Sequence, residues 1–175
     1  MDTNIAGEKI KTRSKIFIFI SIVLASITSS YAQWTQANGP FGGGIQALAV
    51  SGSNIFAGTF RGGAFRSENN GASWIAINNG MTSTQIHALT ILGTNLYAGT
   101  GGGVFRSENN GASWTAVNSG LTSTYIITLA TSGMNLFAGT FDGGVFRSTD
   151  NGASWTAVNS GLQDLNVLAL IASGT

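Results

Sequence analysis

Short runs of alternating apolar and polar residues recur along the chain between residues 45 and 159. The runs are rich in valine, isoleucine, phenylalanine and alanine, and glycine, asparagine or serine bounds them. A period of two with these residue types favours β-strands, and most gaps between runs are too short for helices of ordinary length. The pattern therefore predicts an all-β chain.

The predicted strands fall into three sets of four, one set in each sequence repeat. In the first repeat they cover 45–50, 54–59, 63–66 and 73–78. In the second they cover 86–91, 95–100, 103–106 and 113–118, and in the third 126–131, 135–140, 144–147 and 154–159. One further strand is predicted on each side, around Trp34 and at 167–172.

An octapeptide marks each repeat. SENNGASW occupies residues 67–74 and returns unchanged at 107–114, and a third copy reads STDNGASW at 148–155. A tryptophan ends each copy, and with Trp34 the four tryptophans lie 40, 40 and 41 residues apart. Self-similarity at this period, with four strands in each repeat, predicts the blades of a β-propeller.

Aromatic and small residues recur at fixed positions of the repeat. A single blade cannot bury both of its faces, so recurring aromatic residues are expected to pack between neighbouring blades. The Ala-Gly pairs in the second strands fit sheets that stack too closely for bulky side chains. The recurring residues are Phe56, Tyr97 and Phe137; Phe65, Phe105 and Phe146; and the pairs at 57–58, 98–99 and 138–139.

The octapeptides resemble the Asp-box, or BNR, repeat of sialidase-like and sortilin-like β-propellers, whose pattern is Ser-x-Asp-x-Gly-x-Ser/Thr-Trp. The third copy matches every defined position, and the first two carry Asn69 and Asn109 in place of Asp. The family also includes photosystem assembly factors and xyloglucan-processing glycoside hydrolases. The resemblance implies an Asp-box propeller domain over 33–175, with blades at about 45–78, 86–118 and 126–159 and the start of a fourth at 166–175.

The Asp-box positions are predicted to have a structural role. The Asn or Asp side chain is expected to bond to turn backbone, the glycine to adopt a positive φ, and the tryptophan to anchor the outer strand. The resemblance places these turns opposite the family's binding face, and the motif lacks the carboxylates of a calcium loop. The residues are Ser67, Asn69, Gly71, Ser73 and Trp74; Ser107, Asn109, Gly111, Ser113 and Trp114; and Ser148, Asp150, Gly152, Ser154 and Trp155.

Fewer blades are predicted than a closed ring needs. Closed propellers usually have at least four blades, whereas this chain has three full blades and a flanking strand at each end, a partial ring. The sequence is therefore expected to be a truncated part of a larger protein. The alternative is self-association that completes a ring, since two copies would together supply 28 predicted strands.

The N-terminus is typical of an export signal. Basic residues between 9 and 15 precede an apolar run at 16–27, and Ser30 and Ala32 provide the small residues before a cleavage site. A cut after Ala32 is predicted, which makes 1–32 a signal peptide and the product secreted, periplasmic or cell-surface. A membrane anchor is the alternative, but 12 apolar residues are few against the ~20 that a spanning helix needs. The chain is therefore expected to meet the membrane only transiently.

The rest of the composition excludes several classes of function. Four cationic and five anionic side chains follow the predicted cut, so no basic stripe exists for nucleic acid. Neither metal ligands nor a cofactor motif is recognised. His87 shares its repeat position with Gln46, Ile127 and Leu168, which favours a tolerated strand residue over a base. The Arg-Ile-Pro stretch of retaining sialidases is missing, so no catalytic residue is predicted.

Any binding site is predicted on the rim opposite the octapeptides, where residues vary between repeats. Exposed aromatic residues beside polar groups suit a protein or a carbohydrate. The expected rim residues are Phe60, Arg61, Tyr125, Phe141 and Asp142. The predicted function is that of an exported, non-enzymatic binding or scaffold module. The alternatives are a partial carbohydrate-active propeller, with catalytic residues outside this chain, and an assembly factor similar to those of photosystem II.

Overall fold

The computed structural model describes residues 39–171, which contain twelve β-strands and no helix. The predicted signal peptide, its cleavage site and the strand predicted around Trp34 lie outside the described residues. The strands are β1 (Ile45–Ser51), β2 (Asn54–Thr59), β3 (Ala64–Ser67), β4 (Ile75–Ala76), β5 (Ile86–Leu92), β6 (Asn95–Thr100), β7 (Gly103–Ser107), β8 (Thr115–Ala116), β9 (Ile126–Ser132), β10 (Asn135–Thr140), β11 (Val145–Ser148) and β12 (Thr156–Ala157).

The strands form three antiparallel sheets of four, and each sheet uses consecutive strands. Blade 1 has the order β1-β2-β3-β4, blade 2 the order β5-β6-β7-β8, and blade 3 the order β9-β10-β11-β12. The predicted all-β class and the three four-stranded blades are confirmed. Within the described residues the blades form a partial ring that does not close.

The fourth strand of every blade is shorter than predicted. Six residues were expected in β4, but only Ile75 and Ala76 pair with β3. One further backbone bond, from the Ile77 N–H to the Ala64 carbonyl at 2.9 Å, precedes the Asn78 side chain. Asn78 Oδ1 then accepts from the Ala64 N–H at 2.7 Å, and its Nδ2 donates to the Gly62 carbonyl at 3.0 Å. The Oδ1 atoms of Asn118 and Asn159 accept the equivalent backbone bonds in their blades. An amide that imitates a peptide unit thus ends each outer strand early.

The strand predicted at 167–172 is wrong over the residues that are described, since 167–171 form no strand. The first strand of each blade pairs with the second strand of the same repeat, and residues 39–171 contain no such partner for this segment. The segment instead lies against blade 3. The Val167 N–H donates to the Thr140 carbonyl at 2.9 Å, and the Gly144 N–H donates to the Leu165 carbonyl at 2.8 Å.

The core lies between blades, where apolar faces of adjacent sheets meet. Phe56 and Tyr97 are 1% and 0% exposed, and Ile86 and Ile126 at the starts of β5 and β9 are fully buried. Burying side chains of this size contributes about 1.5–3 kcal/mol each. Phe137, the third member of the first aromatic set, is only half-buried because no complete blade follows it in the described chain.

The glycine of each Ala-Gly pair is where neighbouring sheets come closest. A Cβ on Gly99 would lie 2.7 Å from Ile126 Cγ2, and a Cβ on Gly139 would lie 2.7 Å from Val167 Cγ1. Real carbon atoms do not approach this closely without repulsion. The close stacking predicted from the Ala-Gly pairs therefore explains why β6 and β10 have glycine at this position.

Replacing Gly99 with alanine is expected to lower the free energy of unfolding by about 1–3 kcal/mol, because the new methyl group overpacks the contact with Ile126. Urea denaturation of wild type, Gly99→Ala, Ile126→Ala and the double variant forms a double-mutant cycle that isolates this contact. Since Ile126→Ala removes the clashing atoms, the Gly99→Ala cost should shrink in its presence. Strictly additive costs would contradict the proposed contact.

Candidate functional site

The octapeptides form the hairpins between the third and fourth strands. In the first hairpin the Ser67 side chain is buried; its Oγ donates to Asn69 Oδ1 at 3.0 Å and accepts from the Gly71 N–H at 2.8 Å. Asn69 Oδ1 also accepts from the Ser73 N–H at 2.9 Å. The other two hairpins repeat these bonds. The side chains thus satisfy the turn backbone, as in an Asx-turn.

Two adjacent residues in each hairpin adopt a left-handed backbone conformation. Gly71 has a φ of 86°, and Asn70 before it has a φ of 55°. Asparagine tolerates this region better than other side chains do, which explains the Asn-Gly dipeptide in all three copies. The positive φ was predicted for the glycine and not for the asparagine, although Asn-Gly is itself a signal for such turns.

The third hairpin differs from the others because a carboxylate, Asp150, takes the position of the asparagine that bonds to the turn. Ser154 Oγ donates to Asp150 Oδ2 at 2.5 Å, and the Ser154 N–H donates to Oδ1 at 2.9 Å. These hydrogen bonds, with a smaller effect from Ser148, lower the pKa of Asp150 to about 2. The carboxylate is fully exposed to solvent, and its oxygens serve the turn.

The second and third hairpins also join their blades to the preceding ones. The Trp114 indole N–H donates to the Ile77 carbonyl at 2.6 Å, and the Trp114 backbone N–H donates to the Asn79 carbonyl at 2.9 Å. In the opposite direction, Arg66 Nη1 donates to the Asn110 carbonyl at 2.8 Å. Trp155 and Arg106 make the same bonds one blade further on. The hairpins therefore fasten blades to one another as well as strands within a blade.

The charged residues of the first two hairpins pair with each other. Arg66 lies 2.7 Å from Glu68, and Arg106 lies 2.9 Å from Glu108. Both glutamates are mostly exposed, so each pair contributes little to stability. The third blade has Thr149 in place of the glutamate, and Arg147 is exposed.

The opposite rim is built from the turns between second and third strands and from the linkers that enter each first strand. We call it the linker rim and define it by the turns 60–63, 101–102 and 141–144 and the linkers 83–85, 123–125 and 163–166. Backbone bonds hold turn and linker together, including Phe141 N–H to the Tyr125 carbonyl at 3.0 Å. The antiparallel topology places this rim opposite the octapeptide hairpins.

An aromatic cluster lies on the linker rim between blades 2 and 3. The Tyr125 and Phe141 rings meet edge to face with centroids 5.8 Å apart, and the His87 ring lies 5.1 Å from Tyr125. Tyr125 is 39% exposed and Phe141 54%. Beside them the Asp142 carboxylate accepts a hydrogen bond from Ser123 Oγ. The structure thus brings together three of the five predicted rim residues.

His87 belongs to this cluster and was not predicted there. Partial burial lowers the pKa of its imidazole, and Nε2 has no hydrogen-bond partner among residues 39–171. The turn of blade 2 is one residue shorter than its equivalents, and a Cβ on Gly101 would lie 3.7 Å from Tyr125 Cε2. The Tyr125 ring therefore reaches across the shortened turn of blade 2. The missing residue in the second repeat was the sequence signal for this cluster.

The other two predicted rim residues form a separate pair in blade 1. The Arg61 guanidinium lies 5.7 Å from the centroid of the Phe60 ring, a cation–π contact. Across the turn Phe60 faces Gly44, which offers no side chain for an aromatic pair. Over residues 39–171 no group of three or more His, Cys, Asp or Glu side chains is placed to hold a metal ion. In the same range no helix is long and apolar enough to cross a membrane.

Neither a family model nor a curated protein matches the sequence. Among solved structures, the chain is similar to an ancestral GH74 enzyme (TM-score 0.55, 21% identity, 70% of this chain and 19% of that chain). It is also similar to the computationally designed Ika4 protein (0.57, 17%, 74% and 79%) and to YCF48 from Cyanidioschyzon merolae (0.57, 16%, 71% and 40%). The chain spans about a fifth of the GH74 chain. These likenesses show a propeller-type fold.

The contribution of Asp150 to stability depends on pH, whereas Asn69 and Asn109 do not ionise. Its pKa falls from 3.8 to about 2 on folding. The ionised group therefore stabilises the fold at pH values above 3.8, and this contribution is lost as the pH falls through 2. Urea unfolding between pH 7 and pH 2 should show a shallower loss of stability for Asp150→Asn than for wild type. Asn109→Asp should acquire a steeper loss, and equal slopes for all three proteins would contradict this assignment.

Proposed function

We propose that this protein is an exported, non-enzymatic binding module that uses the linker rim between blades 2 and 3. The observation that carries the proposal is the exposed pair of Tyr125 and Phe141 beside the Asp142 carboxylate. Aromatic side chains supply a large contact area at little entropic cost, and an adjacent carboxylate supplies directional hydrogen bonds. This combination suits the face of a sugar ring or the surface of a protein.

The hairpins are proposed to be Asp-boxes of the sialidase-like type with a structural role. The Ser-to-Asx bonds, the left-handed glycines and the tryptophans that contact the preceding blade support this assignment. Their polar side chains already bond to the turn backbone, which leaves them poorly suited to a ligand. The proposal therefore assigns binding to the opposite rim.

A carbohydrate-active enzyme is the second candidate, because an ancestral GH74 enzyme is among the structural neighbours. Glycoside hydrolysis usually needs two carboxyl groups about 5–10 Å apart, one on each side of the scissile bond. The two carboxylates outside the hairpins have local partners: Asp142 accepts from Ser123, and Asp164 accepts from the Asn166 N–H at 2.9 Å. These bonds favour the binding module over catalysis within this chain.

Variants of the rim should lose ligand affinity. Wild-type protein would be screened on a glycan array and on a peptide array, and the dissociation constant of each hit measured by calorimetry. Tyr125→Ala with Phe141→Ala is expected to weaken binding at least about tenfold, as for aromatic residues at binding hot spots. Met134→Ala is the matched control, since Met134 is an exposed apolar residue (71%) in a hairpin on the opposite rim.

Retained affinity in the rim variant, or no hit on either array, would contradict the binding site. Hydrolysis of an arrayed glycan by the wild-type chain would contradict the non-enzymatic assignment and favour the second candidate.

Export is a separate prediction with its own test. Because Ser30 and Ala32 supply the small residues that signal peptidases require, the exported protein is expected to begin at Gln33. N-terminal sequencing of protein recovered outside the cytoplasm checks this position. Uncleaved protein retained in the membrane fraction would instead favour the anchor alternative.

A further inference from the structure

The contact between successive blades has the same parts at both junctions. We call the face of a blade toward its C-terminal neighbour the trailing face, and the face toward its N-terminal neighbour the leading face. The trailing face of blade 1 presents Gly58 on its inner part, and Arg66 and the Ile77 carbonyl on its outer part. The leading face of blade 2 contacts these groups in turn: Ile86 packs on Gly58, the Asn110 carbonyl accepts from Arg66, and Trp114 donates to the Ile77 carbonyl. Blades 2 and 3 repeat this set.

On the trailing face of blade 3 the outer part of this set is unfilled. Arg147 corresponds to Arg66 and Arg106, yet it is exposed and has no hydrogen bond or ion pair within the described chain. Val158 is 37% exposed, against 6% and 9% for its equivalents in blades 1 and 2. A Cβ on Gly161 would meet nothing within 4 Å, whereas at its equivalents, Gly80 and Gly120, it would overlap a tryptophan carbonyl.

The inner part of the same face is filled by the chain itself, but incompletely. Val167 lies against Gly139 in the position that Ile86 and Ile126 take at the other junctions. Beside it a cavity of about 330 Å³ remains, lined in part by Phe137 and Leu170. Ile171 also lines this cavity and is 97% exposed, so the cavity stays open to solvent at residue 171.

The leading face of blade 1 exposes the complementary surface. Ile45 is 44% exposed, whereas its equivalents Ile86 and Ile126 are fully buried. Leu48 and Val50 lie along the same strand and are 63% and 64% exposed. In β5 and β9 the residues equivalent to Ile45 and Leu48 are buried or half-buried against the preceding blade. Apolar side chains that are exposed together on one strand are a feature of interaction sites.

We propose that a second copy of this chain fills the trailing face of blade 3 with the leading face of its own blade 1. In this head-to-tail contact Ile45 of one copy replaces Val167 of the other at Gly139, and Arg147 reaches the Asn70 carbonyl. Trp74 takes the position beside Val158 and Gly161 that Trp114 and Trp155 take inside the chain. The occupant is a second copy because its face carries an isoleucine, a leucine and a tryptophan at the repeat positions where the same residue types fill both internal junctions.

Such a contact is heterologous, since it joins two different faces. After pairing, one copy retains its leading face and the other retains its trailing face, so the assembly grows with concentration or closes into a ring. This consequence separates the proposal from an ordinary two-fold dimer, in which the same face would be used twice.

The experiment measures mass by sedimentation velocity and light scattering on protein purified from the exported fraction. One variant, Arg147→Ala with Gly161→Ala, blocks the trailing face, because the alanine methyl group occupies the space of the incoming Trp74 carbonyl. The other, Leu48→Asp with Val50→Asp, blocks the leading face by placing charge on it. Gly93→Ala is the matched control, because Gly93 also has a positive φ (61°) and open surroundings but lies in a hairpin of blade 2.

The wild type and Gly93→Ala are expected to gain mass with concentration, with dissociation constants within about threefold of each other. Each blocked variant should associate at least about tenfold more weakly than wild type, in line with losses at binding hot spots. An equimolar mixture of the two blocked variants should form a one-to-one dimer that stops growing, since each supplies the face that the other lacks. Circular dichroism would establish that both variants remain folded.

The chain's own segment around Val167 must leave Gly139 when a second copy binds, and a further variant tests this step. Val167→Ala removes the two methyl groups of the side chain that packs against Gly139, so the chain's own segment is displaced more easily. Association should therefore tighten by a few-fold, in the range expected for the loss of such methyl contacts. A wild type that stays monomeric up to high concentration would overturn the proposal. So would association that neither blocked variant changes, or a mixture that forms no dimer, because these results would place the contact on other surfaces.

Discussion

The close approach of adjacent sheets at the Ala-Gly pairs is the contact on which the rest of the structure depends. A four-stranded blade has two apolar faces and no way to bury both by itself, so its stability comes from its neighbours. Where Ile126 packs on Gly99, the two sheets are near enough for the aromatic residues between them to lose almost all contact with water. At that spacing the hairpin of one blade also reaches the backbone of the one before it.

At this spacing the octapeptide hairpins form directional hydrogen bonds to the neighbouring blade. The buried Ser67 hydroxyl donates a hydrogen bond to Asn69 and holds its side chain in place. The next two residues, Asn70 and Gly71, adopt a left-handed backbone conformation. The same backbone conformation in blade 2 places the Asn110 carbonyl where it accepts a hydrogen bond from Arg66, and the Trp114 indole where it donates to the Ile77 carbonyl. Asparagine and aspartate both accept the bonds that hold the turn, so the geometry survives in all three copies. Among Asn69, Asn109 and Asp150, Asp150 alone is charged, and its contribution varies with pH.

The sequence was sufficient for what the repeat itself encodes. The bounds of β2, β6 and β10 match the predicted ones, because turn residues flank them on both sides. The short outer strands were mispredicted, since nothing in the alternation shows that the Asn78 amide takes over from the peptide ladder. Tyr125 and Phe141 were identified on the rim as residues that vary between repeats. The place of His87 beside them depends on a contact between two blades, which a reading of one repeat position at a time cannot supply.

The linker rim and the end faces differ in the way the repeat constrains them. Rim side chains meet solvent, so Phe141, Gly101 and Phe60 can occupy equivalent turns without loss of the core, and such freedom allows a specific binding surface to evolve. The end faces have no such freedom, because each carries the residues of an internal junction. Arg147 and Gly161 are suited to a hairpin that lies nowhere in the described chain, just as Leu48 and Val50 are suited to a preceding sheet. The proposed head-to-tail contact would therefore reuse, between two copies, the geometry that already joins the blades within one chain.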